Sequence, residues 1–248
     1  MSCDIKICTN HTGKMEGIKS ISTSVLLNDY CQERRKVIGS ICSRCYANNM
    51  AQMYKSLQQN LEHNTKILTT RVLSFEELPD LHEEEIFRFE SFGDLNNMTQ
   101  LINYFNIARK NPFVRFSLYT KRFGLIREFL RREDVAMLPN LTIVFSSFML
   151  NRPVNISRLG LPHPFFKGQY KVFTVYTKDF ILKHPELKIN CGARSCNKCR
   201  RCYEKNDIQF ISEILKSDSE KVAFALDMRD DKKKKEILTK IENILEKY

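Results

Sequence analysis

Several familiar signals are missing from this chain, and each absence narrows the field. No apolar run approaches the ~20 residues needed to cross a bilayer. The stretch Met1 to Lys6 shows no basic region followed by an apolar segment, so it is not a secretory signal. The expectation is a cytoplasmic protein with no membrane partner. There is no G-x4-GK[ST] or G-x-G-x-x-G to cradle phosphates, and no G-x-S-x-G nucleophile turn. The histidines, His11, His63, His82, His163 and His184, show no metal spacing such as H-x3-H and read as surface or loop residues. Internal repeats and low-complexity segments are absent as well.

What the chain does have is cysteine, nine in 248 residues. In a reducing compartment disulfides are rare, and clustered cysteines hold metal or do redox work. Seven fall into two groups. The first is Cys31 with Cys42 and Cys45, spaced C-x10-C-x2-C. The second is Cys191, Cys196, Cys199 and Cys202, spaced C-x4-C-x2-C-x2-C. Cysteines two residues apart can turn both sulfurs toward one metal, and four within twelve residues can complete a four-thiolate shell. Arg and Lys between the later cysteines offset thiolate charge. Three thiolates on a four-iron cluster leave one iron open for a substrate or cofactor. Cys3 and Cys8 read as structural or incidental.

Two metals compete for these sulfurs. Zinc needs one four-thiolate site, which Cys42 and Cys45 could form with two later cysteines. An iron–sulfur cluster, one or two of the 4Fe-4S type, is favoured because seven clustered cysteines exceed one zinc site. The later run also resembles ferredoxin-type spacing. The net charge of +11, from 40 basic and 29 acidic residues, admits a polyanionic partner, nucleic acid first. The charge is spread out and no reader motif accompanies it, so a solvated basic surface with the Lys232–Lys235 run is the better account of it. The competing function is therefore a zinc-stabilised, basic nucleic-acid-binding protein without catalysis.

Apolar runs at Ser22–Leu27, Ile86–Ser91, Val114–Tyr119, Leu141–Ser146 and Lys171–Tyr176 predict strands. Helical periodicity over 47–70, Met98–Lys110 and Phe123–Arg132 fills the gaps. From the second run onward the starts lie 27–30 residues apart, as βα units require. This predicts an α/β fold, a partial βα barrel or an open, mainly parallel sheet, with a Cys-rich metal-binding segment and C-terminal helices. The organisation expected is a βα metal-binding domain over 1–205, cysteine groups at 31–45 and 191–202, and a helical extension over 206–248. The stretch 151–168 reads as a long loop.

In such folds chemistry gathers where strands end. Glu90-Ser91-Phe92-Gly93-Asp94 ends the second strand, either as a close-approach loop for a ligand or as a turn with Asp94 capping a helix. Tyr119-Thr120-Lys121-Arg122 ends the third, where Lys121 or Arg122 suits a carboxylate or phosphate. Ser146-Ser147 and Tyr176-Thr177-Lys178 end the next two.

Three motifs, Ile41–Ala47 (I-C-x-x-C-Y-A), Ser91–Asp94 (S-x-G-D) and Cys196–Tyr203 (C-x2-C-R-x-C-Y), together resemble the phage gene product eighty-eight family, over roughly residues 20–205. That resemblance implies a phage or prophage protein in a bacterial host and carries no mechanism. A wider resemblance is to radical S-adenosylmethionine enzymes. It implies a partial barrel, an open cluster on Cys31, Cys42 and Cys45, and an auxiliary cluster on Cys191, Cys196, Cys199 and Cys202. It further implies Ser91, Gly93 and Asp94 against the methionine moiety of S-adenosylmethionine, and a reductant such as flavodoxin or ferredoxin. Here the chain departs, since that superfamily's usual C-x3-C-x2-C is C-x10-C-x2-C in this sequence.

Overall fold

The computed structural model describes residues 4–132, 135–162, 167–192 and 195–215. Six strands form one sheet: β1 (Lys19–Ile21), β2 (Ile86–Phe89), β3 (Arg115–Thr120), β4 (Leu141–Ser146), β5 (Tyr170–Tyr176) and β6 (Phe210–Ile214). Every pairing is parallel, and the strand order is the sequence order. The helices are α1 (Asp29–Arg35), α2 (Tyr46–Met53), α3 (Lys55–Thr70), α4 (Met98–Lys110), α5 (Phe123–Leu130), α6 (Lys178–Lys183) and the single turn α7 (Cys196–Cys199). None of them is long and apolar enough to cross a membrane.

Strand alternation sends successive side chains to opposite faces, and the two faces here differ sharply. On one, Ile21, Phe87, Phe89, Phe116, Leu118, Ile143 and Phe145 pack against Leu101, Tyr104, Phe105 and Ile107 of α4 to form the main core. Phe89 stacks between Tyr104 and Phe116, with centroids 4.3 and 5.0 Å away. The other face carries Arg88, Ser117, Tyr119, Thr142, Lys171 and Phe173. It is covered by Met15, Ile18, Cys196, Cys202 and Tyr203. Lys171 is fully buried there, its ammonium donating to Asn206 Oδ1 at 2.7 Å and to the Ile208 carbonyl at 2.9 Å.

The sheet curls about that second face. Lys14, just before β1, forms an ion pair with Glu213 on β6 and donates to the Cys191 carbonyl at 3.2 Å. One lysine thus spans the two edges of a six-stranded sheet.

Beyond shifts of one or two residues at element ends, three stretches differ from expectation. The first strand is Lys19–Ile21, not Ser22–Leu27. Residues 22–24 instead bond α3: Asn64 Nδ2 donates to the Ser22 carbonyl at 3.1 Å, and Ser24 N to Thr65 Oγ1 at 2.8 Å. The helix over 47–70 is broken by extended backbone at Tyr54 (φ −113°, ψ 101°). Residues 210–214, expected inside a helical extension, form β6. The remainder of that extension, 216–248, lies outside the described residues. In the loop region one 3-10 turn spans Ile156–Leu159, ended by left-handed Gly160.

Candidate metal centre

The first three cysteines sit at the C-terminal ends of β1 to β3. Asn28 caps α1, its side chain accepting from Cys31 N at 3.3 Å, while its Nδ2 donates to the Asp94 carbonyl at 2.9 Å. That one side chain ties Cys31 to the loop after β2. A 3-10 turn over Cys42–Arg44 follows, and Cys45 N donates to the Cys42 carbonyl at 3.2 Å. Side chains three apart eclipse in such a turn, which places Cys42 and Cys45 on one side. The turn is held from below by Ile41 N donating to the Phe148 carbonyl at 3.0 Å.

Lys121, directly after β3, lies among these thiols. Burial works against its charge, but Cys42, Asp94, Cys31 and Cys45 together keep its pKa above the ordinary lysine value. Its ammonium makes no hydrogen bond or ion pair among the described residues. Burial pushes the Cys31 and Cys42 thiols up, reinforced by Asp94 and Cys45, with Cys42 also acting on Cys31; Lys121 opposes the rise at both, and Arg34 at Cys42. Metal uptake at these sulfurs would therefore release protons.

Asp94 is buried and held by its own chain. Its carboxylate accepts from Thr120 Oγ1, from Lys121 N at 2.9 Å and from Leu95 N at 2.8 Å. Burial raises its pKa, opposed by Lys121 and these donors. It is not the cap of α4; Asn97 is, accepting from Gln100 N at 3.0 Å. The Ser91 hydroxyl bridges Ser20 and Ser22, at 2.9 Å from each. The close approach that Gly93 permits is to Glu90 and Thr23. A Cβ there would press on the Glu90 carboxylate and the Thr23 carbonyl more closely than carbon and oxygen can stand. Gly93→Ala should accordingly cost about 1–3 kcal/mol, read as a lower urea midpoint.

The second group meets on the inner face of the sheet. Tyr119 donates its hydroxyl to Cys202 Sγ at 2.9 Å. The Arg88 guanidinium lies 3.8 Å above the Tyr119 ring, and Lys14 Nζ reaches Cys191 Sγ at 3.5 Å. Burial raises Cys202 to about 11, countered by Tyr119 and Arg88, and raises Cys191 to about 12, countered by Lys14. Cys196 and Cys199 each add to the rise at Cys202. Within the groups the thiols raise one another, Cys45 and Cys42 acting on Cys31, and Cys202 and Cys196 on Cys191.

Among the described residues, no three His, Cys, Asp or Glu side chains are arranged to hold a single metal ion. Sequence reasoning also missed a set of donors. Five buried side-chain atoms lack a hydrogen-bond partner among the described residues: Arg35 Nε, Asn48 Nδ2, Arg88 Nε, Ser117 Oγ and Thr142 Oγ1. Arg35 stands one turn beyond Cys31 on α1, and Asn48 one turn beyond Cys45 on α2. They touch each other, Arg35 Nη1 donating to Asn48 Oδ1 at 2.7 Å. Arg88, Ser117 and Thr142 are paired in register across β2, β3 and β4, on the face of the second group. The i+4 and i+3 spacings from Cys31 and Cys45 were visible signals for the first pair.

No curated protein and no solved structure matches this chain. The model of a family described as Gene product 88 matches residues 6–161. The matched region holds Cys31, Cys42, Cys45, Ser91–Asp94 and Lys121, and the second cysteine group lies beyond it. The match spans well over half of the residues, and the chain belongs to the Gene product 88 family.

Proposed function

We propose that this is an iron–sulfur protein with two centres built on a partial βα barrel. Cys31, Cys42 and Cys45 hold a four-iron cluster with one iron free of protein ligands, and Cys191, Cys196, Cys199 and Cys202 hold another. The observation that carries this reading is the placing of the unpartnered donors. Buried N–H groups without acceptors are costly. Here Arg35 and Asn48 follow Cys31 and Cys45 by four and three residues along α1 and α2, and the Arg88 guanidinium acts on Cys196 and Cys202 of the second group. Thiolates and sulfides are the acceptors such donors want, and hydrogen bonds to cluster sulfur are a normal part of these sites. Two separate thiol groups also exceed what one zinc ion needs.

When bound, a cluster with an open iron supplies coordination and one-electron chemistry to a small-molecule cofactor, S-adenosylmethionine in the sharpest form of the proposal. The chain's own residues provide the setting. Lys121 keeps its positive charge beside the three thiols and has an ammonium free to meet a carboxylate. Asp94, fixed by Thr120 and two backbone amides, holds Lys121 in place from behind. Ser91 and Gly93 pack the loop after β2 against Ser20, Ser22, Thr23 and Glu90, which makes them positioning residues. Such an enzyme needs an external electron donor of the flavodoxin or ferredoxin type.

Metal and acid-labile sulfide analysis on protein purified without oxygen tests the reading. Brown protein with iron and sulfide in matching amounts is expected. Colourless protein with stoichiometric zinc and no sulfide overturns it and favours the nucleic-acid-binding alternative, whose affinity would fall steeply with salt.

A further inference from the structure

Where β3 and β4 end, two arginines from distant parts of the chain meet on one aromatic ring. Tyr30 of α1 is half-buried, and its hydroxyl donates to the Lys121 carbonyl at 3.0 Å. Arg34 Cζ, one turn further along α1, lies 5.1 Å from the centre of that ring, and Arg122 Cζ lies 4.7 Å from it. Arg34 also covers the ring of Phe148, just past β4, at 4.8 Å. Both guanidinium carbons are so close to one ring centre that a single small ligand can meet both. Arg34 and Lys121 each act on the Cys42 thiol, so the cluster borders the first cysteine group.

Among the described residues no carboxylate pairs with Arg34, Lys121 or Arg122. The Arg122 guanidinium donates to the Asn96 carbonyl at 3.2 Å. Nearby acids are engaged elsewhere: Asp94 accepts from Thr120 Oγ1, Lys121 N and Leu95 N, and Glu33 pairs with Lys36. By contrast Lys14, Lys19 and Arg115 each have a carboxylate. Arg122 also stands at the start of α5, and no side chain caps that helix. Nothing lies within 4 Å of where a Cβ on Gly124, in its first turn, would stand. The open first turn adds partial positive charge on the side of the arginines.

Guanidinium forks bind phosphate oxygens in pairs, and a guanidinium resting on a ring keeps its N–H edges free to do so. Several unpaired cations together suit a dianion better than a single carboxylate. We propose that Arg34 and Arg122, with the Lys121 charge beside them, form a binding site for the phosphate or diphosphate group of a small molecule. Tyr30 is a positioning residue, holding both arginines through its ring. The site lies where strands of βα folds end, and its anion binding does not depend on a bound cluster.

Isothermal titration calorimetry of the full-length protein with inorganic pyrophosphate at low salt tests the proposal. Saturable one-to-one binding is expected, weakened about tenfold in Arg34→Gln and in Arg122→Gln. Arg109→Gln, which removes an exposed arginine of α4, should leave it unchanged. Tyr30→Leu should weaken binding, and Tyr30→Phe, which keeps the ring, should restore it. Circular dichroism confirms folding, and should Arg34→Gln fail to fold, Arg122→Gln decides. Absence of binding to the wild type overturns the proposal, and so does an equal loss in Arg109→Gln, which would mean diffuse attraction to a basic surface. Binding of a single-stranded oligonucleotide but not of pyrophosphate overturns it as well, and gives this face to a nucleic-acid backbone. Arginine variants that keep pyrophosphate affinity but lose iron would show that these cations serve the cysteines, leaving the iron–sulfur reading intact. Pyrophosphate binding of the expected pattern in a protein without iron or sulfide would uphold the phosphate site while the iron–sulfur reading falls.

Discussion

Cys42→Ala should strip about half of the bound iron and sulfide from the protein and leave the other half in place. Cys42 belongs only to the first group, and nothing in its loop depends on its sulfur. Ser40 Oγ donates to the Val37 carbonyl at 2.7 Å, Ser43 N to Ser40 Oγ at 3.0 Å and Ser43 Oγ to the Ser40 carbonyl at 2.7 Å. With Ile41 N on the Phe148 carbonyl, these bonds keep the turn when the thiol is gone. Cys202→Ala should remove the other half and cost more stability, because the Tyr119 hydroxyl loses its acceptor. Iron and sulfide per chain, with circular dichroism to confirm folding, read both results. Complete loss of iron in either variant would mean that the seven cysteines serve one centre, and the two-centre arrangement would fall.

The elements that read correctly from sequence are those with local punctuation. Helix α4 has the expected bounds, Met98–Lys110, because Asn97 caps its start and Asn111-Pro112 stops it. Strand β4 also matches, since Leu138-Pro139-Asn140 turns the chain into it. Elements fixed by distant partners were less legible. Ser22, Thr23 and Ser24 look like a strand and are buried. Their partners are side chains of α3 and Glu90, forty and more residues away. Helix α1 hides in the polar run Asp29–Arg35, and β6 follows a cysteine-rich stretch without a clear turn. The cysteine groups were legible from residue type and spacing alone. What surrounds them was not: Arg88 and Tyr119 read as ordinary strand residues until the curl of the sheet brings Cys202 over them. The polar S-x-G-D loop was visible as a cluster, but its stitching to Glu90, Thr23 and Thr120 depends on three strands meeting.

Glu90→Gln should stabilise the protein at pH 8, by as much as about 3 kcal/mol. Glu90 is 2% exposed and stands at the end of β2 with a left-handed φ of 59°. Its carboxylate accepts from Tyr104 Oη, Gln100 Nε2 at 2.6 Å, Thr23 Oγ1 at 3.0 Å and Thr23 N at 3.3 Å. Burial nevertheless outweighs these donors and raises its pKa to about 7 from an ordinary 4.5. Below about pH 4.5 the carboxyl is protonated in both folded and unfolded chains, and burial carries no charge penalty. Between about 4.5 and 7 the unfolded chain gives up the proton first, so stability falls as pH rises. Above 7 the folded chain holds a buried carboxylate and the whole penalty is present. Wild-type protein should therefore gain about 1 kcal/mol on going from pH 8 to pH 6. The neutral amide removes that dependence, at a small loss where it faces the Thr23 N–H. Urea unfolding of both proteins at the two pH values measures the difference. A variant less stable than wild type at pH 8, beside a wild type indifferent to pH, would show that the four donors hold Glu90 as a settled carboxylate. The loop carrying Ser91, Gly93 and Asp94 would then be built on a permanent charge rather than on a proton near neutral pH.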